Sequence, residues 1–244
     1  MEPSPWSWHW APGEIAVVAV LAAGYALTLR RYPVSRARAA VYGAGVLLVA
    51  AALLTPLSTI SLHYLLSAHL VQNVILAEWA PALLVAGLAP ALAADLGRHG
   101  PIRLLTHPLV ALPVWLTSYA VWHIPAVYDA ALEHHVLLFA EHLSYLLTGA
   151  LLWWPVLQDA PHKLDSARKG IYLFAAFLLA SPVSLMLTLL PSAVYDFYVD
   201  APRLWGLSAT SDQQIAGVFM TASEAVVFFA GFAFYFLRFL REEA

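Results

Sequence analysis

Seven stretches of this chain stay apolar and nearly free of charge for the length of a bilayer crossing, and nothing else in the sequence narrows its fold as much. A helix needs about 20 such residues to cross the hydrocarbon core. The stretches run approximately from Glu14 to Leu29, Ala39 to Pro56, Leu62 to Leu88, Pro108 to His123, His135 to Gln158, Ile171 to Leu190 and Gln213 to Leu240. Histidine aside, Glu78 is the only ionisable acid or base in the third, and Pro113 interrupts the short fourth. Glycine and proline inside such runs are tolerated, because neighbouring helices take up the freed backbone groups. The predicted fold is an all-α integral membrane protein, a seven-transmembrane-helix bundle forming one domain over residues 1–244.

Composition agrees. Of 244 residues, 61% are hydrophobic and 11% charged, against about 45–50% and about 25% in soluble domains. That excludes an ordinary soluble enzyme, a disordered chain and a nucleic-acid binder. The chain has no cysteine, so disulfides and thiolate metal sites are excluded. No nucleophile–base constellation and no phosphate-cradling glycine loop is visible, so the expectation is a protein that is not an enzyme.

Residues 1–13 contain no Lys or Arg, unlike the basic region of a signal peptide, so the first helix is expected to be retained. Trp6, Trp8 and Trp10 suit an interfacial aromatic belt. Eleven of the twelve basic residues fall in alternate connections and after the last span, and only Arg203 falls in the other set. By the positive-inside rule the N-terminus is outside and the C-terminus cytoplasmic.

This orientation sorts the histidines. His99, His107 and His162 fall on the cytoplasmic side, and the other seven fall at or near the external side. His9, His63 and His134 read as hydrated interfacial residues. His69 lies about 10 Å into the third span, and His142 lies seven residues, about 10 Å, beyond His135 on nearly the same helix face. His123 closes the fourth span, and Asp212 opens the seventh. Ionisable groups at such depth are rare and usually functional. The candidate metal ligands are therefore His69, His123, His135 and His142. Imidazole suits copper, zinc, iron and nickel, with copper(II) bound most tightly among the divalent ions. Gln213, Gly217, Met220 and Glu224 form a second polar line along one face of span seven, for which a structural hydrogen-bonding role is expected. Gly217 also allows close packing of helices.

The run Ser67-Ala68-His69-Leu70-Val71-Gln72-Asn73 resembles the third-helix motif of the CtaG family of cytochrome c oxidase assembly factors, the polytopic seven-span kind of bacterial plasma membranes. Further matches are His107-Pro108, Trp122-His123-Ile124-Pro125-Ala126-Val127-Tyr128, Glu141-His142 ahead of Gly149 and Trp153-Trp154-Pro155, and Asp212-Gln213-Gln214-Ile215-Ala216-Gly217 followed by Glu224. The resemblance covers Leu62 to the end of span seven, in matching order. It implies a role in maturing a haem-copper oxidase, through delivery of copper to its catalytic subunit or work beside another assembly factor. Many relatives carry a second histidine where this chain has Asn73, so a two-histidine chelate on one face of span three is ruled out here.

The leading expectation is a metallochaperone holding copper through His69, His123 and His142, with His135 as an alternative ligand. Gln72, Glu141, Asp212, Gln213, Met220 and Glu224 are the supporting polar residues. Competing readings are a haem-binding or haem-handling protein with His69 and His142 as axial ligands, a metal-free scaffold for the oxidase subunit, and a transporter using Glu78 and Glu224.

Overall fold

The computed structural model describes residues 3–243. It is 79% helical, with no strand among the described residues. The helices are α1 (Pro12–Leu29), α2 (Arg36–Leu54), α3 (Pro56–His63), α4 (Leu66–Gly87), α5 (Pro90–Leu96), α6 (Gly100–Leu105), α7 (Pro108–Trp122), α8 (Pro125–Glu133), α9 (His135–Leu157), α10 (Ser166–Leu189), α11 (Asp196–Asp200) and α12 (Ala209–Glu242). Proline punctuates this order. Pro12, Pro56, Pro90, Pro108 and Pro125 each open a helix, where the missing N–H costs nothing. Ser35, Asp165 and Ser208 cap α2, α10 and α12 through their side chains.

Among the described residues, six helices are long and apolar enough to cross a membrane. A seventh crossing is added if α7 and α8, bent by 75° at Trp122–Pro125, are taken as one span. The sixth and seventh long helices begin earlier than the sequence reading, at Ser166 and Ala209 rather than Ile171 and Gln213, and two boundaries are cut short inside apolar sequence. The second span stops at Leu54, because Thr55 caps a separate short helix opened by Pro56. The third begins at Leu66 rather than Leu62, because the backbone leaves the helical region at Tyr64 and Leu65. Both breaks lie inside continuous apolar sequence, where hydropathy carries no signal.

α4 is the axis of the bundle. In its apolar window 72% of residues are buried, against 6% for α1. It packs on α2, α9 and α12, while α10 packs along α12 and α9 along α7. Two π-helical turns interrupt the long helices, at Ile75–Trp79 in α4 and at Ala225–Phe229 in α12. Such a turn displaces backbone bonding by one residue. In α4 the carbonyl of Glu78 accepts from Trp153 Nε1 at 2.8 Å. Beside it, Gly149 brings α9 against the same turn, and a Cβ there would collide with the Ala77 carbonyl oxygen. Gly217 does the same between α12 and α10, with Thr188 Oγ1 at 2.5 Å from a built Cβ, which bears out its packing role.

The arginine-rich end is held by specific bonds. Arg38 donates to the carbonyls of Ala86 and Leu88 at 3.0 and 2.8 Å, so a cation stands at the C-terminus of α4. Asp95 accepts from the Tyr32 hydroxyl and pairs with Arg98 at 3.1 Å and Arg31 at 3.6 Å. The tyrosine bond foremost, then the two arginines, holds its carboxyl below the usual range.

Gly149→Ala is expected to cost about 1–3 kcal/mol, the usual range for overpacking. Gly24→Ala, where no atom lies within 4 Å, should be neutral or slightly stabilising. Thermal unfolding of the two variants in one detergent checks the contrast.

Candidate metal centre

The site starts from a helix end. The first N–H groups of α4 need acceptors, and Leu65 at the cap position supplies none from its side chain. Asp212, from the first turn of α12, reaches across. Its two carboxylate oxygens accept from Leu66 N at 2.7 Å and Ser67 N at 3.1 Å. The carboxylate is buried and faces the positive end of the helix dipole, a favourable place for a negative charge.

One turn on, His69 points into the bundle, where α9 presents Glu141 and His142. A ligand atom from each of these three residues lies within 4.8 Å of the others. All are buried, at 0%, 1% and 5% exposure. α4 and α9 contain no Lys or Arg, so no side-chain cation of either helix balances Glu141.

Hydrogen bonds fix what these groups can offer. Tyr198 of α11 donates its single hydroxyl proton to the Ser61 carbonyl at 2.6 Å. Toward His69 Nδ1, at 2.8 Å, it can only accept. His69 therefore carries its proton on Nδ1 and turns a lone pair outward on Nε2. That nitrogen has no hydrogen-bond partner and stands 3.7 Å from Glu141 Oε1. Asn73 Nδ2 donates to the same Oε1 at 2.9 Å, while Oε2 has no partner. Neither ring nitrogen of His142 has one either. Buried donors and acceptors left unmade are costly, and a buried carboxylate facing a lone pair needs a cation or a proton between them.

The other buried carboxylates differ. Glu224 accepts from Tyr119 at 2.8 Å and Ser184 at 3.1 Å. Glu78 accepts from Ser223 at 3.4 Å, and Ser223 in turn accepts from Trp79 Nε1 at 3.0 Å. Each sits at a π turn and is held by hydroxyls.

The sequence candidates thus separate. His69 and His142 come together, and Glu141, expected only as support, joins them as a donor. His123 is buried next door. Its Nδ1 bonds to the Tyr119 carbonyl at 2.7 Å and its Nε2 is unpartnered, but it is not one of the three converging residues. With Asn73, Glu78, Tyr119 and Met220 it lines a cavity of about 10 Å³. His135 is exposed and stands apart, because two helical turns carry it about 10 Å from His142 along the axis although both share a face. Gln72 spans Ser61 Oγ and the Ala52 carbonyl at 2.6 and 2.9 Å. Gln213 holds the Leu190–Tyr195 connection through Val194 N at 2.8 Å and Ser192 O at 3.2 Å. Both are structural ties. Tyr198 escaped the sequence reading, since it lies in a connection outside every motif. Asn73 was legible only as a missing histidine.

Residues 18–242, nearly the whole chain, match the family described as cytochrome c oxidase caa3 assembly factor. None of the curated proteins and none of the solved structures matches the chain.

Asp212→Ala should destabilise the protein by about 1–2 kcal/mol, the upper part of the range for a lost helix cap. Exposed Asp200→Ala should leave stability unchanged. The shift in unfolding midpoint of each variant in detergent checks this.

Proposed function

The chain belongs to the cytochrome c oxidase caa3 assembly factor family, and from that premise we propose that it carries copper, as cargo, to the oxidase it helps assemble. An assembly factor interacts with the oxidase or its assembly machinery. The finer reading gives this membrane protein a binding site made of His69, Glu141 and His142, with no catalytic step of its own. It acts from the bacterial plasma membrane with the histidine-rich end outside.

One observation carries the reading: three donor residues converge within 4.8 Å, and four of their ligand atoms lack any partner. Two imidazoles and a carboxylate suit copper or another late first-row ion, and copper heads the divalent affinity order. The Tyr198 bond to His69 supports it further, since metal-binding histidines commonly donate their second nitrogen to an oxygen that fixes the tautomer. Asn73, by holding Glu141 Oε1, aligns the carboxylate that takes the place of a second histidine on span three. His123 and its unpartnered Nε2 stand ready as an acceptor beyond the first site. Release to the oxidase follows by ligand exchange.

The geometry favours an ion over haem. The His69 and His142 rings are 6.1 Å apart, and the Tyr128 ring lies 5.1 Å from His69. A porphyrin between the two imidazoles would have to displace Tyr128 and Glu141.

Protein purified in mild detergent, loaded with copper and washed with a weak competing chelator, should retain close to one ion per chain. His142→Ala should lose that copper and lower oxidase assembly in cells. Wild-type protein that retains none overturns the reading, and a Soret band after haem supplementation replaces it with the haem alternative. Tyr198→Phe should keep the stoichiometry and weaken copper binding by about 10–100-fold, the usual effect of removing such a supporting bond. Competitive chelator titration measures it. Because the imidazoles must be neutral to bind, wild-type affinity should fall as pH is lowered.

A further inference from the structure

The three-residue centre is sealed, so an ion must be passed to it from the surface. The histidine-rich end contains a group of side chains that the centre does not use. His9 lies in the segment before α1, which is tied across this end of the bundle. His9 N donates to the Leu54 carbonyl at 3.1 Å, and Thr59 Oγ1 donates to the Ser7 carbonyl at 2.7 Å. Although hydrated surroundings are expected for it from sequence, His9 is half-buried, and its Nε2 is shut off from solvent with no hydrogen-bond partner.

Its backbone bond to Leu54 seats His9 beside Leu53, which lines one small cavity together with Glu14 and His142, and His63 and the exposed His135 are the other imidazoles whose charge it feels. Glu14 is the one buried residue of α1, and it lines a cavity of about 10 Å³ together with His142, Phe139 and Leu146. Glu14 and His142 thus border one small space, and Leu53, next to the Leu54 that His9 bonds, lines it as well. His142 is suited to receive from this side. Both its ring nitrogens are unpartnered, and the inner centre requires only one of them. Burial, above the opposing pull of Glu14, pushes the His9 imidazole below its usual value.

We infer that His9 and Glu14 form an uptake site that receives a late first-row metal ion at the histidine-rich end and passes it to His142. The inference rests on the copper-carrying reading above, and it assigns that centre its route of filling. The ion moves by exchange of imidazole and carboxylate donors, without a change of oxidation state. His135, which does not reach the inner centre, belongs to the outer rim of this route together with His63. A second opening at the same end, which His63 also borders, is the cleft of about 540 Å³ lined by Asp129, Glu133, Asp196 and Asp200. It is acidic, and among the described residues no buried unpartnered side-chain atom lines it, so it provides the comparison.

The experiment uses metal-free full-length protein in lipid nanodiscs, mixed with Cu(II) held by glycine. Aliquots are quenched with a strong chelator, and retained copper is followed in time. His9→Ala should load about tenfold more slowly than wild type, a loss in the range seen when one supporting donor leaves a metal site. Its final copper per chain should be unchanged, which also shows that the variant is folded. Glu14→Gln should slow loading in the same way, and Asp200→Asn should not. Loading of His9→Ala at the wild-type rate overturns the inference, as does equal slowing by Asp200→Asn, which moves uptake to the acidic cleft. A lower final copper content in His9→Ala also overturns it, because His9 would then be a resident ligand. These failures leave wild-type copper retention intact, whereas wild-type protein that retains no copper removes the centre itself.

Discussion

The bond that most of this structure depends on is the one from Asp212 to the first two free N–H groups of α4. α4 is the most buried helix of the bundle and carries His69, Gln72, Asn73 and Glu78 on its length. A helix end inside a membrane protein has no water to complete it. By supplying the acceptors from α12, Asp212 fixes where α4 starts, and so the height of every polar side chain below. Gln72 then ties α4 to the Ala52 carbonyl of α2 and to Ser61 of α3. Gly149 lets α9 approach until Glu141 and His142 meet His69.

Against this frame, the distribution of satisfied and unsatisfied polar atoms separates structure from function. Deep in the bundle, Glu224 accepts hydrogen bonds from Tyr119 and Ser184, and Glu78 accepts one from Ser223. Around Glu141 the same chain leaves four donor or acceptor atoms bare within one small group. Leaving a buried polar atom unmade costs about 1–3 kcal/mol. Tyr198 and Asn73 fix the orientation of His69 and Glu141 within that group, and the proposed copper site rests on these bare atoms.

Much of the candidate site was legible before the structure. Depth in the membrane picked out His69 and His142, since an imidazole so far inside an apolar run needs a reason. The same argument raises His135, which the structure leaves exposed and outside the converging trio. Seven residues preserve the helix face but add two turns of rise, and a site of ångström dimensions discriminates between them. Glu141 adjoins His142 in sequence, where neighbours on a helix are rotated about 100° apart, so periodicity alone does not bring both to one site. A centre formed between helices can nevertheless accept both. His9 looked like surface, because nothing in its own segment says that the chain folds back over the bundle. Tyr198 and the breaks at Thr55 and Tyr64–Leu65 depend on contacts distant in sequence, which hydropathy does not register.

The sequence alone determined that this protein is helical and lives in a membrane, because runs of apolar residues must bury their backbone polar groups internally. It also placed the arginines in alternate connections, from which the expected orientation follows, and its ordered motifs carried the family resemblance. Only the tertiary structure decided which polar residues meet. Asp212 serves as a helix cap, Gln72 and Gln213 as ties, and Glu141 stands with His69 and His142 as an unsatisfied trio. The physical reason is one of length scale. A hydrophobic run fixes position to within a helical turn, whereas coordination and hydrogen bonding are decided within about 1 Å, by how neighbouring helices are rotated and how closely glycine lets them approach.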